Sequence, residues 1–246
     1  MPKRQQFPWF RPTAADPCFC RSGRSFGDCC GSRIADRGPP AGVDLISGFL
    51  DPATCRKWVK RLEGMRRKRA LVRKIQRPGT TALSTENDPV RVCAEVQPGV
   101  LRKVINDRVA EAFQLAATKM GASVSWIETP LILRYQSGGF YLAHADSCLL
   151  DPASNTWVKV HDRDLSLLIY INEDFSGGGL SFTNFNFHLR PRTGDLLVFP
   201  SDNRYIHQAE VVESGIRYVI VSWAALAGSP RVNDRPPLGA IYLQAE

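Results

Sequence analysis

From residue 124 onward the chain is a succession of short apolar runs cut by turn residues, and no other feature limits its fold as tightly. SVSWIETPLILRY, LSLLIYI, GLSF, GDLLVFP and IRYVIVSW are rich in Val, Ile, Leu and aromatics, which predicts at least five strands. Two helices precede them. Asp51-Pro52 supplies an N-cap and a first helical residue for a helix to about Glu63, with Trp58, Val59 and Leu62 facing a core. Leu101, Val104, Ile105, Val109, Ala112, Phe113 and Ala116 recur at three and four, and Gly121 closes that second helix. The Pro-, Gly-, Thr- and Asn-rich stretch from about Ile75 to Pro89 reads as a loop. Helices followed by many strands predict a mainly β fold, a sandwich or jelly roll with flanking helices.

A chain of 246 residues has room for one sizeable domain and a small appendage. With 43% hydrophobic and 23% charged residues the composition is that of a globular protein, which excludes a disordered tail, a collagen and a coiled coil. No apolar run reaches the length of a membrane-spanning helix, and the opening MPKRQQFPWFRPTA lacks the apolar stretch of a secretory signal. The expectation is therefore a cytoplasmic protein with no membrane association. The net charge of +8 is concentrated: residues 56–77 hold eleven Lys or Arg against Glu63 alone, leaving −2 for the remainder. Such a segment suits RNA, the ribosome or an acidic protein face, and it equally suits a solvated helix face followed by a basic loop.

Four of the seven cysteines, Cys18, Cys20, Cys29 and Cys30, fall within PCFCRSGRSFGDCCG. A C-x-C pair, eight residues and a C-C pair suit tetrahedral Zn(II), with Ser22, Gly23, Ser25 and Gly27 forming the turn; two disulfides are the alternative. The stretch resembles the SEC-C motif, keeping the four cysteines, Ser22-Gly23, an aromatic at Phe26 and the closing Gly31. It departs at Phe19 and Arg21, where the motif usually has Pro and Gly. The resemblance implies a zinc-binding interaction module at 16–33 with a protein or ribosome-associated partner, followed by a linker at 34–45.

Histidine is scarce, so each of the four can be weighed. In an extended strand His144 and Asp146 point to the same side, and His207 follows after several strands. Two His and one carboxylate form the facial triad of non-haem iron(II). Ten residues beyond His207, Arg217 begins the row Arg217, Val219, Val221, Trp223, whose period of two places a cation on an otherwise apolar inward face.

These segments together resemble the prolyl 4-hydroxylase branch of iron(II), 2-oxoglutarate-dependent oxygenases. RYQSGGFYLAHADS, LLIYINEDFSGGGLSF and PRTGDLLVFPSDNRYIHQAEVVESGIRYVIVSW occur in the family's order across residues 125–226, with Val211 in place of its usual Pro. The resemblance implies a double-stranded β-helix, with an oxygenase domain at 46–228, its β core at 124–226 and a C-terminal extension at 229–246. It implies His144, Asp146 and His207 as Fe(II) ligands, Arg217 as the anchor of the distal 2-oxoglutarate carboxylate, and Tyr135 and Tyr170 as pocket walls, with ascorbate a further candidate. Both tyrosines also suit ordinary core packing. His161 and His188 match no ligand position, although His161 sits in a segment that can border the substrate cleft.

The implied reaction is hydroxylation of an unactivated C–H, most simply a prolyl residue in a protein, with release of succinate and carbon dioxide. Asp146 favours hydroxylation over halogenation, because related halogenases replace this carboxylate. A free amino acid or small metabolite is the alternative substrate, and a non-catalytic binding protein is a minor one. Nucleic-acid repair is disfavoured, since that related branch has a second Arg where this chain has Trp223. Residues 75–90 and 147–164 are the expected specificity loops.

Overall fold

The computed structural model describes residues 6–7, 13–18, 23–29, 31–32, 38–77, 80–84 and 90–243. In chain order its elements are β1 (Gln6–Phe7), β2 (Asp44–Ile46), α1 (Pro52–Glu63), β3 (Arg67–Arg69), β4 (Val72–Arg77), β5 (Thr80–Ser84), β6 (Arg91–Val92) and β7 (Ala94–Val96). After α2 (Arg102–Lys119) come β8 (Val124–Ile127), β9 (Leu131–Gln136), β10 (Phe140–His144), β11 (Cys148–Asp151), β12 (Thr156–Lys159) and β13 (Leu165–Tyr170). The last are β14 (Phe175–Gly177), β15 (Leu180–Phe182), β16 (Phe187–Leu189), β17 (Leu196–Pro200), β18 (His207–Ala209), β19 (Val212–Leu226) and β20 (Ile241–Tyr242).

Both helices form where the sequence starts and stops them. The Asp51 carboxylate accepts from the Thr54 N–H at 2.9 Å, and Pro52 occupies the first turn of α1, where its missing N–H costs nothing. α2 buries Ile105, Val109, Ala112, Phe113 and Ala116, and the chain turns away at Gly121 with φ +64. Neither helix is long and apolar enough to cross a membrane.

Two sheets face each other. The larger runs β2-β17-β13-β19-β9-β7-β3, with β8, β14 and β20 attached, and the smaller runs β16-β15-β18-β10-β6. Alternation along central strands divides the interior in two. Leu165, Leu167 and Ile169 of β13 and Tyr218 and Ile220 of β19 join the helices in one core. Leu168, Tyr170, Val219 and Val221 join Leu180, Phe182, Leu197 and Phe199 between the sheets. Because β13 is covered on both faces it reads as a continuous apolar run rather than an alternating one. This is the mainly β jelly roll with flanking helices that the strand pattern predicts.

Two expected loops are hairpins. β4 and β5 pair from Val72↔Ser84 to Arg77↔Thr80, so the Pro78-Gly79 pair that argued for a loop falls between two strands. β11 and β12 pair from Cys148↔Lys159 to Asp151↔Thr156 inside the expected 147–164 loop. In the second, residues 152–155 form an exposed turn between the strands. Residues 85–89 lie outside the described residues.

Candidate active site

Between the sheets lies a cleft of about 610 Å³, and His144, Asp146, His207 and Arg217 all line it. The row Arg217, Val219, Val221, Trp223 lines it as well, as the period of two requires.

The two histidines are set by strand register. β10 and β18 are antiparallel, with His144 directly opposite His207, and the ring centroids are 4.4 Å apart. Asp146 arrives differently from the sequence expectation: β10 ends at His144, and Asp146 sits in the bend that follows. The bend serves the same end. His144 Nε2 lies 3.6 Å from Asp146 Oδ1, and His207 Nε2 lies 3.6 Å from Asp146 Oδ2. One donor atom from each residue falls within 4.8 Å of the others.

Backbone carbonyls fix the tautomers. His144 Nδ1 is 2.8 Å from the Leu142 carbonyl, and His207 Nδ1 is 3.0 Å from that of Tyr205. A carbonyl only accepts, so each Nδ1 carries a proton, and each Nε2 is the ring nitrogen turned to the shared space. Burial and the neighbouring His207 push the His144 imidazole down to about 3, which keeps it in the neutral, ligating form. Burial opposes the Asp146 charge, yet the two imidazoles, Arg163 and Ser166 outweigh it and hold the carboxyl down at about 2. The Tyr141 ring stacks on His144 at 3.6 Å, and the Arg91 guanidinium lies 4.6 Å from the Tyr141 ring. Phe199 meets His207 edge-on at 4.8 Å.

Asp146 is held from behind. Ser166 Oγ donates to Asp146 Oδ2 at 2.6 Å and lies 2.7 Å from Ser201 Oγ. Since the carboxylate can only accept, the Ser166 proton is committed to it and Ser201 donates to Ser166. Arg163 Nη1 donates to the Asp146 carbonyl at 3.1 Å. Arg163 is itself gripped by both Glu128 oxygens, at 2.5 and 2.8 Å, and lies 3.7 Å over the Trp223 ring.

Arg217 is a different kind of site. It is 1% exposed on β19, opposite Tyr135 on β9, with its guanidinium 4.8 Å from the Tyr135 ring and 5.2 Å from that of Tyr170. Arg217 Nη2 donates to the Tyr170 hydroxyl at 3.4 Å, while Nε and Nη1 have no partner among the described residues. A buried guanidinium with two unmatched donors is costly by itself and is the geometry that a ligand carboxylate completes. Burial pushes the hydroxyls of Tyr135 and Tyr170 up, so both stay protonated donors. The donor set of two imidazoles and a carboxylate likewise fits ferrous iron.

The six residues singled out for the oxygenase chemistry, His144, Asp146, His207, Arg217, Tyr135 and Tyr170, thus share one region. His161 lines the cleft, and His188 lies outside it, 2.8 Å from Glu210. Sequence reasoning missed Ser166, Ser201, Arg163 and Glu128. The only signal for Ser166 was a lone polar residue in LSLLIYI, on the same strand face as Tyr170. Of the cysteines, Cys20 and Cys30 lie outside the described residues. Around the other two, Pro17 bridges Ser25, Cys18 N–H donates to Arg24 O at 2.9 Å, and Cys29 N–H donates to Phe26 O at 3.1 Å. Cys18 and Cys29 are buried.

Comparison with known proteins agrees with this geometry. Residues 130–225 match the 2OG-Fe(II) oxygenase superfamily, and residues 15–32 match the SEC-C motif. Human prolyl 3-hydroxylase 2 is 35% identical over 92 residues, 34% of this chain and 13% of that protein. A putative prolyl 4-hydroxylase of Acanthamoeba polyphaga mimivirus is 30% identical over 128 residues, 48% of this chain and 53% of that protein. The chain therefore spans about an eighth of the first relative and about half of the second. Among solved structures, the viral collagen prolyl hydroxylase of Paramecium Bursaria Chlorella virus-1 superposes with a TM-score of 0.53 at 18% identity, covering 78% of this chain and 99% of that one. A Trichoplax adhaerens prolyl hydroxylase, solved with a hypoxia inducible factor peptide, gives 0.54 at 18% identity, covering 75% and 83%. At that identity the two establish the fold alone.

Proposed function

We propose, from the match of residues 130–225 to the 2OG-Fe(II) oxygenase superfamily, that this chain is a 2-oxoglutarate-dependent dioxygenase that hydroxylates a prolyl residue of a protein substrate. One observation carries the reading: a cleft brings a His, Asp, His set together with a buried guanidinium that has two unmatched donors. The prolyl hydroxylases among its relatives support the choice of residue, and they include 3- and 4-hydroxylases, so the oxidised carbon stays open.

In this reading His144 and His207, through Nε2, and Asp146, through its carboxylate, hold Fe(II). Arg217 and the Tyr170 hydroxyl bind the distal carboxylate of 2-oxoglutarate, with Tyr135 as the opposing wall. Iron and 2-oxoglutarate, when bound, supply oxidation of an unactivated C–H coupled to formation of succinate and carbon dioxide. The chain's part is geometry. The carbonyls of Leu142 and Tyr205 hold both Nδ1 protons, Ser166 fixes one Asp146 oxygen, and Val219, Val221 and Leu168 give the cleft apolar lining beside Arg217. Leu71, Val90, Leu150 and Trp157 also line the cleft and give it apolar surface suited to a prolyl ring. The four cysteines would bind zinc as an attachment module separate from the chemistry, since four thiolates leave no position for a substrate.

Comparative proteomics of cells carrying wild-type protein or Asp146→Ala tests the reading. A one-oxygen mass gain on proline, dependent on the wild type, is the expected result. Purified protein that converts 2-oxoglutarate to succinate without any protein gaining oxygen would redirect the assignment to a free amino acid or small metabolite. Failure to bind Fe(II) would end the enzymatic reading. Substituting Cys18 and Cys20 should reduce zinc content and partner association while sparing iron binding.

A further inference from the structure

Eight exposed cations lie in sequence along α1 and into β3, and the oxidation chemistry does not use them. Arg56, Lys57, Lys60 and Arg61 occupy the side of α1 opposite the buried Cys55, Trp58 and Leu62, and Arg66, Arg67, Lys68 and Arg69 follow directly. Glu63 is the one acid between Arg56 and Arg69. Arg56 and Lys60, and Lys57 and Arg61, stand one turn apart, where like charges repel. Stability alone does not select such an arrangement.

The position of β3 narrows what this surface fits. β3 is the edge strand of the large sheet among the described residues. Arg66 O accepts from Gln97 N–H at 2.9 Å, and Ala70 N–H donates to Cys93 O at 3.1 Å. Antiparallel pairing alternates, so the peptide groups of Arg67 point away from β7. A charged edge of this kind repels a second copy of itself and accepts a strand of opposite charge. The sheet already shows the pairing in miniature: Lys68 faces Glu95 across β3 and β7, with Lys68 Nζ 3.0 Å from Glu95 Oε1. β3 also leads into the cleft, because Leu71, two residues past Arg69, lines it.

Resting on the peptide-hydroxylation reading, we propose that the protein substrate carries an acidic segment beside the residue to be oxidised, and that this segment docks on the α1–β3 surface. A polypeptide is favoured over a nucleic acid for two reasons. A sheet edge offers hydrogen bonds to a peptide backbone, and Trp58, the aromatic of this stretch, is buried and offers no base a stacking face.

Fluorescence anisotropy with labelled poly-L-glutamate, and with oligouridylate of matched charge, tests the surface independently of turnover. Polyglutamate should bind wild type, more weakly as salt rises, and Lys57→Glu/Arg61→Glu/Arg67→Glu/Arg69→Glu should weaken it by about 10-fold or more, as the loss of several exposed pairs implies. Uncoupled conversion of 2-oxoglutarate to succinate should not change in that variant. Proteins oxygenated in an Asp146-dependent manner should carry Asp or Glu runs flanking the modified site. No polyglutamate binding, binding unaffected by the four substitutions, tighter binding of oligouridylate, or oxygenated sites without acidic flanks would each overturn the proposal. Wild-type protein that binds polyglutamate but turns over no 2-oxoglutarate would overturn the enzymatic reading and leave the surface standing.

Discussion

Replacing Ser166 with Ala removes a single oxygen from behind Asp146, and its effect can be worked out from the geometry. The lost contact is a 2.6 Å hydrogen bond from a hydroxyl to an ionised carboxylate in a residue 1% exposed. Hydrogen bonds to charged groups contribute about 1.5–3 kcal/mol, and removing a group that orients a metal ligand lowers metal affinity by about 10–100-fold. Fe(II) titration under anaerobic conditions should therefore show the dissociation constant of Ser166→Ala raised by that factor. A second readout is the pH dependence of binding. Ser166 is one of the groups lowering the Asp146 pKa, so its removal raises that pKa and metal should be lost at a higher pH on acidification. Ser201 also loses its acceptor, which costs metal-free stability about 1–3 kcal/mol, and Ser166→Thr should restore both properties. A Ser166→Ala variant that loses that stability while its Fe(II) affinity and acid limb stay at wild-type values would refute this role for Ser166.

Arg217→Met should weaken 2-oxoglutarate binding by about 100-fold or more, yet leave the ligand-free protein as stable or more so, because it removes a buried charge with two unmatched donors; equilibrium binding and urea denaturation read the two effects separately. His144 binds fewer protons folded than unfolded between about pH 3 and pH 6.5, so the metal-free protein should lose stability as pH falls through that interval. The Asp146 contribution is lost only below about pH 4, and a His144→Gln variant should flatten the upper part of the decline, as thermal melts across pH would show. Phe113→Ala should cost about 3–5 kcal/mol in chemical denaturation, since Phe113 is fully buried between α2 and the large sheet.

Where the chain repeats, its sequence is readable. Strand alternation places Arg217, Val219, Val221 and Trp223 along the cleft, and the two helices start and stop at Asp51-Pro52 and Gly121. What escapes is pairing between residues far apart in sequence. Ser166 is a lone serine in an apolar run until Asp146 folds back over it, and Arg163 is one cation among 32 until Glu128, 35 residues earlier, grips it. Asp146 shows both sides of this. Its spacing from His144 is visible, but the route is a bend after β10 and not a continued strand. The β4–β5 and β11–β12 pairings escaped for the same reason, since a ladder depends on its partner strand and not on the composition of the stretch that holds it.

The alternation of β13 and β19 also decides how this chain can change. Inserting one residue into either would turn Leu168, Tyr170 and Val219 toward the helices and bring Leu167, Ile169 and Ile220 to the site, dismantling both interiors at once. The tip of the β11–β12 hairpin is under no such constraint, because residues 152–155 are exposed turn outside any ladder, so changes of length are tolerated there and not in β13 or β19.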